Sequence, residues 1–332
     1  MAFFQRTISI IIISFFCTVS ALAEPALIFD LGGKFDKSFN EAAHNGAQRW
    51  AKETGKRYQE IELQSEAQRE QALRRFAEAG YNPVITMSFA MADPLSVVAR
   101  DYPDTKFVAI DVTWLDTPNI RQIGFAEHEG SYLVGIMAAL ASESGTVGFV
   151  GGMDIPLIRH FGCGYAQGVK ATNPNATVIA NMTGTTAAAW NDPVKGSELA
   201  KSQISQGADV IYAAAGGTGL GVLRTAADEG IYSIGVDSNQ NYLHPGSVLT
   251  SMIKRVDVAV YEAMNAGADV ETGVFLLGLV EDGVGYALDE HNASIVSDEM
   301  RKAVDTARQK IIDGEIKVVG YYQNDSCPVL DF

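Results

Sequence analysis

Short apolar segments alternate with longer amphipathic segments along most of the chain. The apolar segments are rich in β-branched and aromatic residues, as strands are, and the segments between them have helical spacing. They form two series, which begin near Ala26, Tyr58, Pro83 and Lys106, and near Thr146, Ala176, Ala208 and Ile231. Each series advances by about 20–32 residues per unit, the length of a strand plus a crossover helix. The pattern predicts an α/β protein with two doubly wound parallel-sheet lobes.

Local signals mark the starts of two helices. The segment Ser38–Glu41 has the form of a capping box, which predicts a helix running to about Thr54. Asp192 and Pro193 supply an N-cap and a first-turn proline for a helix ending near Gln206. Both helices follow a predicted strand after a short loop, as parallel α/β units require.

The end of the chain is expected to pass back and forth between the lobes. A late strand over Val248–Lys254 precedes a helix over about 256–265, which we expect to return to the first lobe. The expected lobes are residues 24–125 plus about 255–280, and residues 126–254 plus about 281–332. Several crossings would then join the lobes and act as a multi-strand hinge.

Candidate ligand-binding residues follow the predicted strands. In open parallel sheets, ligands bind outside the carboxyl ends of the strands. Those positions hold Asp30, Ser88, Asp111, the segment 212–217 and Asp237. The alternative for each aspartate is that it caps the following helix.

Composition and motifs exclude several classes of function. The formal net charge of −15 opposes binding to nucleic acid or anionic lipid. The five histidines show no metal-ligand spacing, and the motifs H-E-x-x-H, C-x-x-C and G-x-S-x-G are absent from the sequence. We therefore expect no metal, no cofactor and no catalytic apparatus, although an enzyme that processes the bound molecule remains the rival class.

A glycine-rich segment, residues 213–221, imitates a dinucleotide-binding turn. It follows a strand, and Asp237 lies downstream at the end of the next strand. The third glycine of G-x-G-x-x-G is missing, because Val222 follows Gly221. We therefore expect these glycines to let backbone amides approach an uncharged ligand closely.

The first 23 residues have the layout of a secretory signal peptide. Arg6 precedes an apolar run, and small residues end at Ala23, after which cleavage is expected. The protein would then be periplasmic, in an oxidising compartment, with Cys163 and Cys327 as its remaining cysteines. These two residues either form a disulfide or remain two separate thiols.

Three aromatic residues lie at predicted helix starts or strand ends: Phe39, Trp190 and Tyr212. Core packing is the usual role of such rings. Next to strand-end carboxylates, however, they also suit a ligand with one aromatic and one hydroxylated part.

Five motifs in order resemble the basic membrane protein family, the substrate-binding proteins of ABC transporters, many of which bind purine nucleosides. The motifs are Asp30–Asn40, Asp192–Gly196, Ala215–Gly219, Ile234–Asp237 and Leu249–Arg255. The resemblance implies a type I periplasmic-binding-protein fold, a ligand held between two hinged lobes, and an ABC transporter permease as partner. Many members are lipid-anchored, whereas this chain lacks the lipid-attachment motif.

The resemblance also implies roles for individual residues. Phe39 would stack on one face of a purine base, with Tyr212 or Trp190 on the other. Polar contacts would come from Asn40 and Asp111 to the base edge, and from Asp237 and Lys254 to the ribose, with Asp30 and Gly217 lining the cleft. The protein is expected to act as a monomer. The alternatives are a pentose or other sugar-binding protein, or a receptor of the same fold that feeds a signalling system.

Overall fold

The computed structural model describes residues 23–323 and 325–332. The predicted signal peptide lies outside this part, apart from Ala23. In chain order, the first half contains β1 (Ala26–Phe29), α1 (Phe39–Thr54), β2 (Gln59–Glu62), α2 (Gln68–Glu78), β3 (Val84–Thr86), α3 (Ala92–Asp101), β4 (Phe107–Ile110), β5 (Ile120–Phe125), α4 (Glu127–Ala141), β6 (Thr146–Met153) and α5 (Pro156–Thr172).

The second half continues the alternation. It contains β7 (Thr177–Gly184), α6 (Pro193–Ser205), β8 (Val210–Ala214), α7 (Gly219–Asp228), β9 (Tyr232–Asp237), β10 (Val248–Lys254), α8 (Val256–Ala266), β11 (Gly273–Leu277), β12 (Val284–Tyr286) and α9 (Asp298–Ile312). Within the described residues, no helix is both long and apolar enough to cross a membrane.

The strands form two six-stranded sheets with equivalent order. The first sheet is ordered β2-β1-β3-β4-β5-β11 and the second β7-β6-β8-β9-β10-β12. All neighbouring strands run parallel except β12, which is antiparallel to β10. The chain passes between the sheets after β5, after β10, and again between β11 and β12. The predicted fold class, two parallel-sheet α/β lobes, is confirmed.

Helices cover both faces of each sheet, so the strands are apolar on both sides. In β1, Leu27 and Phe29 point to the core beneath α1, whereas Ala26 and Ile28 join the cluster beneath α2 and α3. In the second lobe, α4 packs closely against α5, and α6 against α7. This layering places the carboxyl ends of both sets of strands at the junction between the lobes.

The start of α1 differs from the predicted capping box. The Ser38 side chain makes no capping hydrogen bond. Instead, the Asp36 carboxylate accepts the backbone N–H groups of Ser38, Asn40 and Glu41, at 2.8, 3.0 and 3.1 Å. A carboxylate satisfies these free N–H groups and also favours the positive end of the helix dipole. Ser38 is thereby left free for a contact elsewhere.

The C-terminal segment is fixed to α5. Cys163 of α5 and Cys327 form a disulfide, with their Cα atoms 5.5 Å apart. Gln167 donates to the carbonyl of Val319 and accepts from its N–H, each at 2.9 Å. Of the two alternatives for the cysteines, the structure therefore contains the disulfide.

Candidate functional site

A cavity lies between the two lobes, at the carboxyl ends of strands from both sheets. The first lobe lines it with Leu31, Gly32, Asp36, Phe39, Asn40, Ser88, Phe89 and Asp111. The second lobe lines it with Leu157, Ile158, Phe161, Trp190, Ala214, Gly216, Val236, Asp237 and Lys254. A molecule held in this cavity would contact both lobes at once.

Three lining residues at strand ends have a left-handed backbone. The φ angle is 87° at Ser88, 65° at Asp111 and 62° at Asp237. Such angles are uncommon for residues other than glycine, and they concentrate at functional sites because the surrounding structure must hold them. Their occurrence at three strand ends around one cavity marks it as the candidate site.

The ammonium of Lys254 is at the centre of a buried charged cluster. Its Nζ lies 2.7 Å from Asp111 Oδ1 and 3.0 Å from Glu127 Oε1, and the side chain is only 2% exposed. Burial alone lowers the pKa of an ammonium group, but the charges of Asp111, Glu127 and Asp237 outweigh that effect and raise the pKa of Lys254. Lys254 is therefore a fixed cation within the site.

Glu127 supports the cluster without being among the predicted site residues. It is buried at the start of α4, outside the cavity lining. Burial raises the pKa of its carboxyl group, and the neighbouring charge of Lys254 opposes that rise. A glutamate in the first turn of a helix looks like an ordinary helix-dipole residue in the sequence, so its role in the cluster is visible only in the structure.

The Asp237 carboxylate joins the cavity to the opposite lobe. It accepts a hydrogen bond from Ser38 Oγ at 2.5 Å. Burial raises the pKa of Asp237, while the charge of Lys254 and the Ser38 hydroxyl act in the opposite direction. No other hydrogen bond to this carboxylate forms among the described residues, so it keeps acceptor capacity for a ligand.

Asp36 also lines the cavity, although it is not among the predicted site residues. Burial raises the pKa of its carboxyl group to about 7, against the lowering effect of the three N–H groups that it accepts. Because Ser38 occupies the position of a helix cap in the sequence, the capping role of Asp36 is not evident without the structure.

Phe39 and Trp190 bring aromatic surface into the cavity from opposite lobes. Two glycines make room for the indole, because a Cβ atom at Gly152 would overlap the Trp190 ring and one at Gly32 would press on its Cβ. The cavity also contains Phe89 and Phe161, which are not among the predicted site residues. Both lie in apolar segments that look like core in the sequence.

Asp30 does not line the cavity, which corrects one predicted site residue. Its two carboxylate oxygens accept from Arg69 Nε and a terminal guanidinium nitrogen at 2.9 and 3.0 Å. Both side chains are largely buried. This bidentate pair ties β1 to α2, so Asp30 has a structural role.

Tyr212 and Gly217 also lie outside the cavity lining. Tyr212 is fully buried, with its ring 5.6 Å from Phe149 and 5.3 Å from Tyr165 between centroids. Tyr212 and Ala214 lie on the same face of β8, and Ala214, at the carboxyl end of the strand, is the residue that lines the cavity. The lining glycine of the loop is Gly216 rather than Gly217.

The remaining predicted site residues all line the cavity: Phe39, Asn40, Ser88, Asp111, Trp190, Asp237 and Lys254. Their contacts with a ligand stay a prediction. Within residues 23–323 and 325–332, the one side-chain group able to gather around a metal ion is Asp289, Glu290 and His291, and none of these lines the cavity.

Comparisons with known proteins identify the family. A family model described as ABC transporter substrate-binding protein, PnrA-like, matches residues 24–321. The CD4+ T-cell-stimulating antigen of Listeria monocytogenes is 36% identical over 319 residues, covering 88% of this chain and 87% of that protein. The ABC transporter nucleoside-binding protein BmpA of Lactococcus lactis subsp. cremoris is 30% identical over 318 residues, covering 88% of each.

The fold comparison agrees. A solved ABC transporter solute-binding protein from Aeropyrum pernix K1 has a TM-score of 0.81 at 29% identity, covering 91% of this chain and 95% of that one. A match of this extent includes both lobes. The chain belongs to the basic membrane protein (Bmp) family of ABC transporter substrate-binding proteins.

Proposed function

We propose that this protein captures a purine nucleoside in the cavity between its lobes and delivers it to an ABC importer. The observation that carries the proposal is the lining itself, which combines aromatic rings with a fixed cluster of carboxylates and an ammonium group. The Lys254 Nζ lies 5.0 Å from the centroid of the Phe39 ring and 5.5 Å from that of Phe161. Flat apolar surface and charged hydrogen-bonding groups are therefore adjacent, as a base joined to a ribose requires.

The aromatic residues suit the base. Phe39 and Trp190 come from opposite lobes, so both can contact one flat group when the lobes are together. Stacking of a base on an aromatic side chain contributes ~1–3 kcal/mol.

The charged residues suit the ribose and oppose a phosphate. Asp237 can accept a hydrogen bond from a ribose hydroxyl, and Lys254 can donate one to a ribose oxygen. Asp36, Asp111 and Asp237 line the cavity with a single lysine among them. The resulting negative potential should exclude nucleotides.

In the proposed role the protein acts outside the cytoplasm as a monomer, after removal of residues 1–23, with an ABC permease as partner. The Lactococcus relative is named a nucleoside-binding protein, which supports the same ligand class. A ligand of this kind is bound and released unchanged, so no catalytic step is involved.

Calorimetry with adenosine, guanosine, their free bases, their monophosphates and ribose tests the proposal. We expect the nucleosides to bind and the monophosphates to bind at least about tenfold more weakly. Asp237→Asn should weaken nucleoside binding by about one to two orders of magnitude and spare the free base. Tight binding of ribose without nucleoside binding would instead favour the sugar-binding alternative.

A matched pair of phenylalanines controls for general effects. Phe39→Leu removes a ring from the cavity, whereas Phe35→Leu removes a ring that is 61% exposed and outside the lining. Only Phe39→Leu should weaken binding, and it should weaken base and nucleoside alike because both stack on the same ring. Equal binding by both variants would contradict the proposed stacking.

A further inference from the structure

The loop before α1 and the segment after β9 form a contact between the two lobes. Ser38 Oγ donates to Asp237 Oδ2 at 2.5 Å. In the reverse direction, Ser238 Oγ donates to the Ser38 carbonyl at 2.9 Å, and Gln240 Nε2 donates to the Lys37 carbonyl at 3.0 Å. Each of these hydrogen bonds joins residues of different lobes, so each requires the lobes to be together.

The Ser38 hydroxyl is available for this contact because it does not cap α1. Asp36 takes that role, as described above. Ser38 is fully buried and lies outside the cavity lining. Its strongest acceptor is a carboxylate, and the alternative acceptor, the Val236 carbonyl, is more distant at 3.3 Å.

Asp237 is a cavity residue whose orientation depends on such support. Its backbone is left-handed, and no described residue other than Ser38 hydrogen-bonds to its carboxylate. A hydroxyl from the opposite lobe therefore fixes one of its oxygens and leaves the other free to face a ligand.

We propose that Ser38 is a positioning residue, which holds the Asp237 carboxylate in its ligand-binding orientation only when the lobes are closed. The inference rests on the proposed function, in which Asp237 binds the ligand. Closure and ligand binding then reinforce each other, because closure orients Asp237 and a ligand on Asp237 favours the closed form. The apparent affinity of such a protein scales with the fraction of molecules in the competent state.

Ser38→Ala should therefore weaken binding of adenosine and guanosine by about 10-fold to 100-fold, although Ser38 does not touch the ligand. Ser38→Thr keeps the hydroxyl and should retain most of the affinity. Ser238→Ala is the matched control, since it removes a serine hydroxyl that belongs to the same interlobe contact but does not hydrogen-bond to the Asp237 carboxylate.

A double-mutant cycle separates positioning from a merely structural role. In an Asp237→Ala background, Ser38→Ala should cause no further loss of affinity, whereas the smaller effect of Ser238→Ala should persist. The proposal is overturned if Ser38→Ala binds like the wild type, or if its effect is undiminished without Asp237.

The same pair can be tested without a ligand. The urea midpoint shifts of Ser38→Ala and Asp237→Ala should not add up in the double variant, because both remove one hydrogen bond. If wild type binds neither nucleoside but this coupling is present, the proposed ligand is wrong while the interlobe contact stands. Additive midpoint shifts would show that the two side chains are not coupled.

Discussion

At the scale of single residues, Lys254 is the side chain on which the charged cluster depends. It is buried between Asp111 and Glu127, and its charge also opposes the rise in the pKa of Asp237 that burial causes. Removing one partner of a buried ion pair leaves an uncompensated charge and costs ~3–5 kcal/mol. We therefore expect Lys254→Met to lower the free energy of unfolding by about that amount, measured by urea denaturation near pH 7.5.

Lys37→Met is the matched control for this prediction. The Lys37 side chain is 39% exposed and pairs with Glu41 from the loop that precedes α1. Exposed ion pairs are worth about 0.2–1 kcal/mol, so this variant should unfold almost like the wild type. Equal losses in the two variants would contradict the special role of Lys254.

The same scale shows how far sequence can locate a site. Asp30, Asp111 and Asp237 all lie at the carboxyl ends of strands, and the strand-end rule therefore selects all three. Only the fold brings Arg69 to Asp30 and Lys254 to Asp111. Which strand-end carboxylate faces a ligand depends on partners distant in sequence, and a local pattern does not contain them.

At the scale of elements, α4 and α5 are the most closely packed helices of the second lobe. Glycines on both helices permit this approach: a Cβ atom at Gly135 would overlap the backbone of Tyr165, and one at Gly168 the backbone of Tyr132. Backbone atoms cannot move aside as a flexible side chain can. Gly135→Ala should therefore lower the free energy of unfolding by about 1–3 kcal/mol, despite the better helix propensity of alanine.

Gly285→Ala is the control for this helix contact, because a Cβ atom at Gly285 in β12 would meet no atom within 4 Å. Its effect should be within about 0.5 kcal/mol of zero. Denaturant unfolding of the two variants under one condition makes the comparison. A tolerated alanine at Gly135 would mean that α4 and α5 can separate without loss.

Elements with a clear apolar pattern are predictable, and those without one are not. The strands β1 and β4 are continuous apolar runs because helices cover both of their faces. The strand β5 is interrupted by Arg121 and Gln122, and the pattern does not distinguish it. The predicted cap of α1 is wrong for a similar reason. Asp36 and Ser38 are both suitable capping residues by type, and only the interlobe contact of Ser38 with Asp237 decides between them.

At the scale of the whole molecule, the two lobes repeat one strand order, and this repetition makes the fold class predictable from local patterns. The closed arrangement of the lobes is not predictable in that way. It depends on contacts such as Ser38 with Asp237, which lie 199 residues apart in sequence. The composition of the cavity and of the charged cluster beside it follows from the same long-range packing, which is why the roles of Phe161 and Glu127 are visible only in the structure.

The stability of the whole molecule should depend on pH through two opposing sets of buried groups. The His128 and His160 rings pack against each other, with centroids 4.2 Å apart. Burial lowers the pKa of His128 to about 4, and burial with the charges of His128 and Lys254 lowers the pKa of His160 to about 2. The unfolded chain takes up both protons below pH ~6.5, so this contribution to stability is lost as the pH falls.

Buried carboxyl groups act in the opposite sense. Burial raises the pKa of Asp36 to about 7, so the native state takes up a proton before the unfolded chain does. This contribution is complete below the unfolded pKa of ~3.9 and is lost as the pH rises through about 7. At mildly acidic pH the contributions of the buried histidines and of the buried carboxyl groups partly cancel. The pH dependence of the unfolding free energy of the wild type alone would therefore show neither contribution clearly.

His128→Gln isolates one side of this balance. In the wild type, the unfolded chain binds a proton at His128 that the native state does not bind, and this difference lowers stability as the pH falls. Glutamine does not titrate, so the free energy of unfolding of the variant should rise relative to that of the wild type over the same pH range. The expected rise is about 1.4 kcal/mol per pH unit between pH ~6.5 and ~4. Urea unfolding of both proteins at several pH values in this window measures it. A difference between His128→Gln and wild type that stays constant with pH would mean that the native state binds the His128 proton as readily as the unfolded chain does.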